Sequence, residues 1–336
     1  MNLKKIRFFR FFFDFVFLLY ELLFFKVRKK NSSRSYDSML RLFYLTGGVS
    51  NDIINYFVCE KSILHSENNG ILSKYDELSI KSFQTKLKRE GFIILENILS
   101  QQDINDLIYD FQNKYGFYLS DQKDNFSKQK LNLDNPKGVT FHYSPQDIID
   151  NENCHKILFD TSLINFSQDY LKCCPVIDNV SAWWSFPKDT ADKNAAQWWH
   201  YDLDRPKWLK FFFFLTDCTF ETGAHCFVKG SHKNNGIKWS LRNKGYSRLS
   251  DEEIEKNYSK EDIVTVEAKK GSLLIEDTRG LHKGRQLIKN NRFLIQLQFS
   301  SSTFGAKVDS FNFPHFKNEK FLICKKKFRH TYSLFT

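Results

Sequence analysis

From Arg292 to Phe299 the side chains alternate without a break. Arg292, Leu294, Gln296 and Gln298 fall on one side, and Phe293, Ile295, Leu297 and Phe299 on the other. A period of two belongs to a strand, because successive side chains there point to opposite faces. One apolar face against a largely polar one predicts a strand in the wall of a barrel or sandwich with a polar interior. Phe211-Phe212-Phe213-Phe214 lies within Trp208–Leu215, an apolar run that suits a strand covered on both faces. Further strands are predicted at Val180–Phe186, Cys226–Val228, Ile263–Glu267 and Ser272–Glu276. Turns are expected at Glu221–Ala224, at Gly230-Ser231-His232 and between Lys269 and Gly271, and a polar loop over Lys188–Asn194.

His200-Tyr201-Asp202 sits among these elements. On extended backbone, positions two apart face the same way, so the imidazole and the carboxylate project together. On a helix they would not face each other. A second imidazole from a distant strand completes a 2-His-1-carboxylate face, a set that holds Fe(II) with positions left open. His282 is the candidate for that imidazole, in competition with His225 and His232. His232 lies in a turn, where capping or packing is its expected role. Asp204 would replace Asp202 only on a shifted register. Arg292, ten residues after His282, offers a planar fork for a carboxylate, with Arg285 as the competitor. Gln296 and Gln298 read as filler of the polar interior. His142, Tyr143 and Ser144 lie in a Pro-bounded loop, read as a plain surface loop rather than a lid.

Upstream, Gly91 is expected to end a helix carrying Phe83 and Leu87. Phe92–Leu95 follows as a short strand, and Ser100 caps a helix with Ile104, Leu107, Ile108 and Phe111 at helical spacing. The segment 31–80 is a variable, mixed extension in which Arg41–Leu45 and Ile53–Val58 suggest short helices, with turns at Gly47–Gly48 and Asn68–Gly70.

The N-terminus reads FFRFFFDFVFLLYELLFFKV over residues 8–27, interrupted by Arg10, Asp14 and Glu21. On a helix these three and Arg28 form one narrow polar stripe, with Arg10 and Asp14 an i,i+4 pair. Three readings remain open: a helix lying in a membrane surface, a helix packed on protein, and a membrane span. The charges and the lack of a small-residue cleavage site argue against a signal peptide. The net charge of +11 comes with basic clusters at Lys4–Arg10, Lys26–Lys30 and Lys325–Arg329. No nucleic-acid-binding motif accompanies it, so no nucleic-acid partner is expected. The seven cysteines are odd in number and lack a C-x-x-C, which points to reduced thiols and a cytoplasmic setting. No feature specifies an oligomeric state.

The ordered set WWHYDLDRPKWLKFFFFLTDCTFETGAHCFVKGSHK, then Gly271-Ser-Leu-Leu-Ile-Glu-Asp leading to His282, then Arg292, resembles the phytanoyl-CoA dioxygenase family of Fe(II)/2-oxoglutarate oxygenases. The opening Glu90-Gly91-Phe92-Ile-Ile-Leu resembles it too, and the likeness spans about residues 80–305. The loop Lys188–Asn194 departs from the Pro/Gly-rich stretch common in that family, and the Trp pairs at 183–184 and 198–199 are bulky for the region. The resemblance implies a mainly β fold, a double-stranded β-helix (jelly-roll, cupin-like) with flanking α-helices. It places the oxygenase domain over 81–305; outside it, the residues themselves give an apolar helix over 1–30, an extension over 31–80 and a tail over 306–336. It further implies Fe(II) held by His200, Asp202 and His282, with 2-oxoglutarate gripped by Arg292. The expected reaction consumes O2 and hydroxylates a small or lipid-linked organic substrate, with peripheral membrane contact through residues 1–30 in view. A metal-free binding relative of the same fold and a cupin-like metal-dependent isomerase or hydrolase are the alternatives. Trp183, Trp184, Trp198 and Trp199 are either a substrate-stacking surface or core.

Overall fold

The computed structural model describes residues 3–65, 69–119, 127–193, 195–313 and 319–336, with side chains from Phe11 onward. The basic side chains of Lys4–Arg10, the Arg10 end of the pair with Asp14, Asn68 of the expected turn and Asn194 of the expected loop lie outside what is described.

The first ninety residues build helices: α1 (Leu3–Arg28), α2 (Ser33–Thr46), α3 (Val49–Val58) and α4 (Glu77–Glu90). The two short helices expected in the extension are longer than their apolar patches, because Ser32 caps α2 and Gly47, in the left-handed region, ends it. Gly91 ends α4 at φ 99°, as expected. Ser100 and Asp103 form a reciprocal cap on α5 (Gln101–Gln112), which buries Ile104, Leu107 and Phe111.

Eleven strands occur among the described residues. They are β1 (Phe92–Leu95), β2 (Tyr115–Tyr118), β3 (Gln129–Lys130), β4 (Thr140–His142), β5 (Val176–Ser185), β6 (Trp208–Phe214), β7 (His225–Val228), β8 (Ile263–Val266), β9 (Leu273–Glu276), β10 (His282–Gly284) and β11 (Arg292–Ser300). Seven of them stand where the sequence places them, and four, β2, β3, β4 and β10, form without a sequence signal. Eight of them form one antiparallel sheet in the order β1-β9-β6-β11-β5-β4-β2-β3, and three form a second, β10-β7-β8. Their side chains meet: Phe92 of the large sheet lies 5.4 Å from Phe227 of the small one, ring to ring, and Phe212 lies 5.9 Å from His225. The outer face of the large sheet carries Phe293, Ile295, Leu297 and Phe299 with Leu209, Phe211 and Phe213, packed under helices in the main core. Leu294, Phe212 and Phe214 point the other way, between the sheets. The alternation read from Arg292–Phe299 is thus the division between outer core and interior.

The expectation of a mainly β chain needs correction. Helix makes up roughly 35% of the residues and strand 20%. The strands are short, as sandwich strands are, while the N-terminal segment is helical almost throughout. The chain beyond residue 305 is also packed: Phe311, Phe313, Phe321, Tyr332 and Phe335 join the main core. His142 is not in a surface loop but at the end of β4, stacked between Phe117 and Trp183 at 5.9 and 5.8 Å. Among the described residues no helix is long and apolar enough to cross a membrane.

Candidate metal centre

Residues 200–202 are not a regular strand. His200 instead forms an isolated antiparallel bridge with His282, the first residue of β10. Both hydrogen bonds of the pair are made, His200 N to His282 O at 3.0 Å and His282 N to His200 O at 2.8 Å. The Asp202 N–H donates to Thr278 O at 2.9 Å, which holds the next turn of extended backbone in place. Directly opposed residues put their side chains on one face. The two imidazoles therefore converge, with ring centroids 4.2 Å apart.

The same local device orients both rings. Nδ1 of His200 lies 2.8 Å from Trp198 O, and Nδ1 of His282 lies 2.9 Å from Gly280 O, each two residues upstream. A carbonyl can only accept, so Nδ1 carries the proton and Nε2 turns its lone pair inward. His200 Nε2 is 3.9 Å from Asp202 Oδ1, and His282 Nε2 is 3.7 Å from Asp202 Oδ2. One ligand atom from each of the three lies within 4.8 Å of the others.

Burial pushes the His200 imidazole down to about 4, and burial with the neighbouring His200 pushes His282 down to about 3. Burial of Asp202 works against its charge, yet the Lys210 ammonium and the two rings hold its carboxyl well below the usual range. Two neutral imidazoles beside one carboxylate is the protonation state a divalent metal requires, since ligands must be deprotonated to bind. The donor set has one oxygen and two nitrogens and no thiolate, the combination of non-heme iron sites.

Arg292 opens β11 beside this cluster. Its Nη1 donates to Gly223 O, its Nη2 to Ser185 Oγ at 3.3 Å, and its buried Nε has no partner. A Cβ built on Gly284, two residues along β10 from His282, would come 3.8 Å from Nη2. The guanidinium thus lies on the side of β10 that carries the His282 ring. Gly223 has φ +86°, and a Cβ there would meet Arg292 Nη1 at 3.0 Å, so glycine is needed for the approach.

The competing residues stand elsewhere. His232 packs near Phe227 and contacts Lys88 O, as a turn residue should. Arg285 lies over the Phe220 ring. Asp204 is outside the cluster; burial and the nearby Asp202 charge push its carboxyl up. Gln298 is tied to Asp178 and Ser300, so it fills the interior. Trp184 stacks on Phe293 at 4.7 Å and Trp199 is buried, which makes both core, while Trp183 stacks on His142.

Three residues near the site, Lys210, Glu276 and Arg248, escaped the sequence reading, while His225, the competitor for the distal ligand, takes another role. Lys210, on β6, donates from Nζ to Asp202 Oδ2 at 2.6 Å. Glu276 and His225 pair at 2.8 Å, and the His225 ring stacks 5.7 Å from His282. Arg248 comes from the segment bridged to Trp199 through Leu249, and its Nη1 is buried without a partner. Its positive charge contributes to the lowering at His200, behind burial and against Asp202. The signal for Lys210 was present: it is the one charge in Trp208–Phe214, at the parity of Phe212 and Phe214.

A further link runs to the N-terminal layer. Asn31 exchanges two hydrogen bonds with Gly305, 2.9 Å to its carbonyl and 3.0 Å from its N–H. Ala306 N then donates to Asp204 O at 2.9 Å. A Cβ on Gly305 would sit 2.0 Å from that same oxygen.

Comparison with curated proteins found no match. Among solved structures the chain is similar to the non-heme alpha ketoglutarate dependent epimerase SnoN from nogalamycin biosynthesis, at 12% identity and TM-score 0.45, over 67% of this chain and 83% of that one. It is similar to HygX from Streptomyces hygroscopicus, solved with nickel and 2-oxoglutarate, at 14% identity and TM-score 0.47, over 71% and 92%. The alpha ketoglutarate dependent carbocyclase SnoK gives 11% identity and TM-score 0.46, over 77% and 94%. The model of the phytanoyl-CoA dioxygenase family matches residues 87–288, more than half of the sequence. With that match covering strands β1 to β10 and the His-Asp-His cluster, the chain belongs to the phytanoyl-CoA dioxygenase family.

Proposed function

We propose that this chain is an Fe(II)- and 2-oxoglutarate-dependent dioxygenase that hydroxylates a small or lipid-linked organic substrate. The observation that carries the reading is the convergence of two inward-facing Nε2 atoms and one carboxylate within 4.8 Å. His200, Asp202 and His282 would hold the metal, leaving coordination positions free. Arg292 would receive the far carboxylate of 2-oxoglutarate in a charge-assisted pair; its unpartnered Nε and its position beside β10 support this. Iron with 2-oxoglutarate and O2 supplies the oxidation, with the co-substrate leaving as succinate and carbon dioxide.

The chain's own contribution is placement and charge. The Trp198 and Gly280 carbonyls fix the two rings, and Thr278 fixes the Asp202 backbone. Lys210 holds one carboxylate oxygen of Asp202 and leaves Oδ1 to face His200. Arg248 presents an unsatisfied donor beside His200, suited to an anionic group on the substrate.

The reading takes the two facing sheets as a double-stranded β-helix of jelly-roll type. The oxygenase unit is residues 81–305, with the helix 1–30, the extension 31–80 and the segment 306–336 added to it. Seven unpaired cysteines suit a reducing, cytoplasmic setting.

Anaerobic titration with Fe(II) and then 2-oxoglutarate tests the proposal. A visible metal-to-ligand charge-transfer band that disappears in His200→Ala is the expected result. Absence of the band in the parent protein, with the metal present, refutes it. A screen for succinate release coupled to candidate substrates then tests hydroxylation itself.

A further inference from the structure

We propose that the N-terminal helical layer is a docking face for an anionic membrane surface, with α1 lying in the headgroup region. The proposal does not depend on the metal reading.

An amphipathic helix ordinarily buries its apolar stripe and shows its polar one. Here α1, over its described side chains, turns both of its acids toward the protein and still leaves a row of large apolar side chains outward. Asp14 is buried and accepts from Arg41 Nε at 2.7 Å, Arg41 Nη2 at 2.6 Å and Ser38 Oγ at 3.0 Å. Glu21 accepts from Ser32 N and Oγ, both at 3.1 Å. Leu18, Leu22 and Phe25 share this inward side and pack with Met39, Leu42, Ile54 and Phe304. The outward side is left with Phe12, Phe13, Val16, Tyr20, Leu23 and Val27, of which Leu23 is 71% exposed and Val27 84%. The spacing of residues 12, 16, 20, 23 and 27 makes this one continuous helical face.

The helix α3, which packs on α1 and α2, also turns apolar side chains outward. It buries Ser50, Asn51 and Asn55 along with Ile54 and Val58, and exposes Val49, Ile53, Tyr56 and Phe57. Exposed aromatic and aliphatic side chains in this number on two packed helices mark an interaction site.

Charge selects the occupant. Lys26, Arg28, Lys29, Lys30 and Arg34 are exposed at the C-terminal end of the layer. Arg28 and Arg34 lie over the rings of Phe24 and Phe17, at 4.7 and 4.4 Å, with aliphatic stems along the aromatic surface. Both acids of α1 are turned to the protein, so its outward face carries no negative charge. Aromatic and aliphatic side chains bordered by lysine and arginine match a bilayer interface with anionic headgroups. A second copy of the chain fits less well. The sequence is also basic at Lys4, Lys5, Arg7 and Arg10, so parallel and antiparallel pairing of two α1 helices both bring like charges together.

Flotation of the full chain with vesicles tests the proposal, using phosphatidylcholine alone and phosphatidylcholine with about one quarter phosphatidylserine. The chain is expected to float with the anionic vesicles. Leu23→Gln with Val27→Gln should abolish flotation at unchanged charge. Replacing Lys26, Lys29 and Lys30 with Gln should lower partitioning about a hundredfold, at roughly fivefold per charge. Because all five positions are exposed, the melting temperature is expected to hold, and it serves as the folding control. Failure of the parent chain to float with either vesicle overturns the proposal. So does flotation indifferent to the Leu23 and Val27 changes, or self-association abolished by those changes with no flotation.

Discussion

The Lys210 ammonium lies 2.6 Å from Oδ2 of Asp202, inside the space between the two sheets. Burial would drive a lone lysine toward its neutral form, but the Asp202 charge raises its pKa again and keeps it an ammonium. The pair has two consequences. It neutralises a buried carboxylate in the metal-free protein, and it places a positive charge beside the three candidate metal ligands.

Lys210→Met is therefore expected to act in opposite directions on the metal-free and metal-bound protein. Without metal, Asp202 loses its partner and stability falls by about 3 kcal/mol, as when one half of a buried pair is removed. With metal, the cation replaces the missing charge and no longer meets a like one. The rise in melting temperature on adding Fe(II) anaerobically, or Mn(II) in air, should be larger in the variant than in the parent. An equal or smaller rise would show that Lys210 does not compensate Asp202.

Arg292→Met should weaken 2-oxoglutarate binding by about 2–3 kcal/mol, close to a hundredfold in dissociation constant, while metal affinity stays within a few-fold. Gly223→Ala should move the same quantity in the same direction by less, since its methyl would crowd Nη1 at 3.0 Å. Calorimetric titration of the metal-loaded protein reads both. Unaltered co-substrate affinity in Arg292→Met would remove that residue from the site.

His142 supplies a pH dependence away from the candidate ligands. Burial lowers its imidazole from 6.5 to about 4. Between those values the unfolded chain binds the proton and the folded chain does not, so the contribution is intact above about pH 6.5 and is lost as pH falls toward 4. At most about 3 kcal/mol is at stake. In His142→Phe the stability loss between pH 6.5 and 4 should shrink but not vanish, because His200 and His282 titrate in the same direction. Parallel loss curves for parent and variant in thermal melts would contradict this.

Gly91→Ala is expected to destabilise by about 2–4 kcal/mol. The residue sits at φ +99°, and its Cβ would meet Phe227 Cε1 and His232 Nδ1, each at 2.6 Å. A melting temperature within about a degree of the parent's would mean that the turn relaxes freely.

Local chemistry explains which parts were legible beforehand. The Ser100–Asp103 cap, the Gly91 stop and the alternation of β11 are each specified within a few residues, and each is where it was read. His200 and Asp202 were recognisable because their spacing implies one face, although the backbone there is a pair of bridges rather than a strand. His225 and Glu276 stand 51 residues apart, and only the facing of the two sheets brings them together. The polar stripe of α1 was visible too. Its direction was not, because that depends on Arg41, a partner 27 residues from Asp14 with no local mark.

Asn31 grips both polar atoms of the Gly305 backbone, and the residue after that glycine is bonded to Asp204, two positions from Asp202. Removing residues 1–31 to improve handling in solution would strip the Phe25 ring from Phe304 and release this clamp. A shortened protein would thus carry an altered backbone two residues from Asp202, and its turnover would be no measure of the intact molecule's.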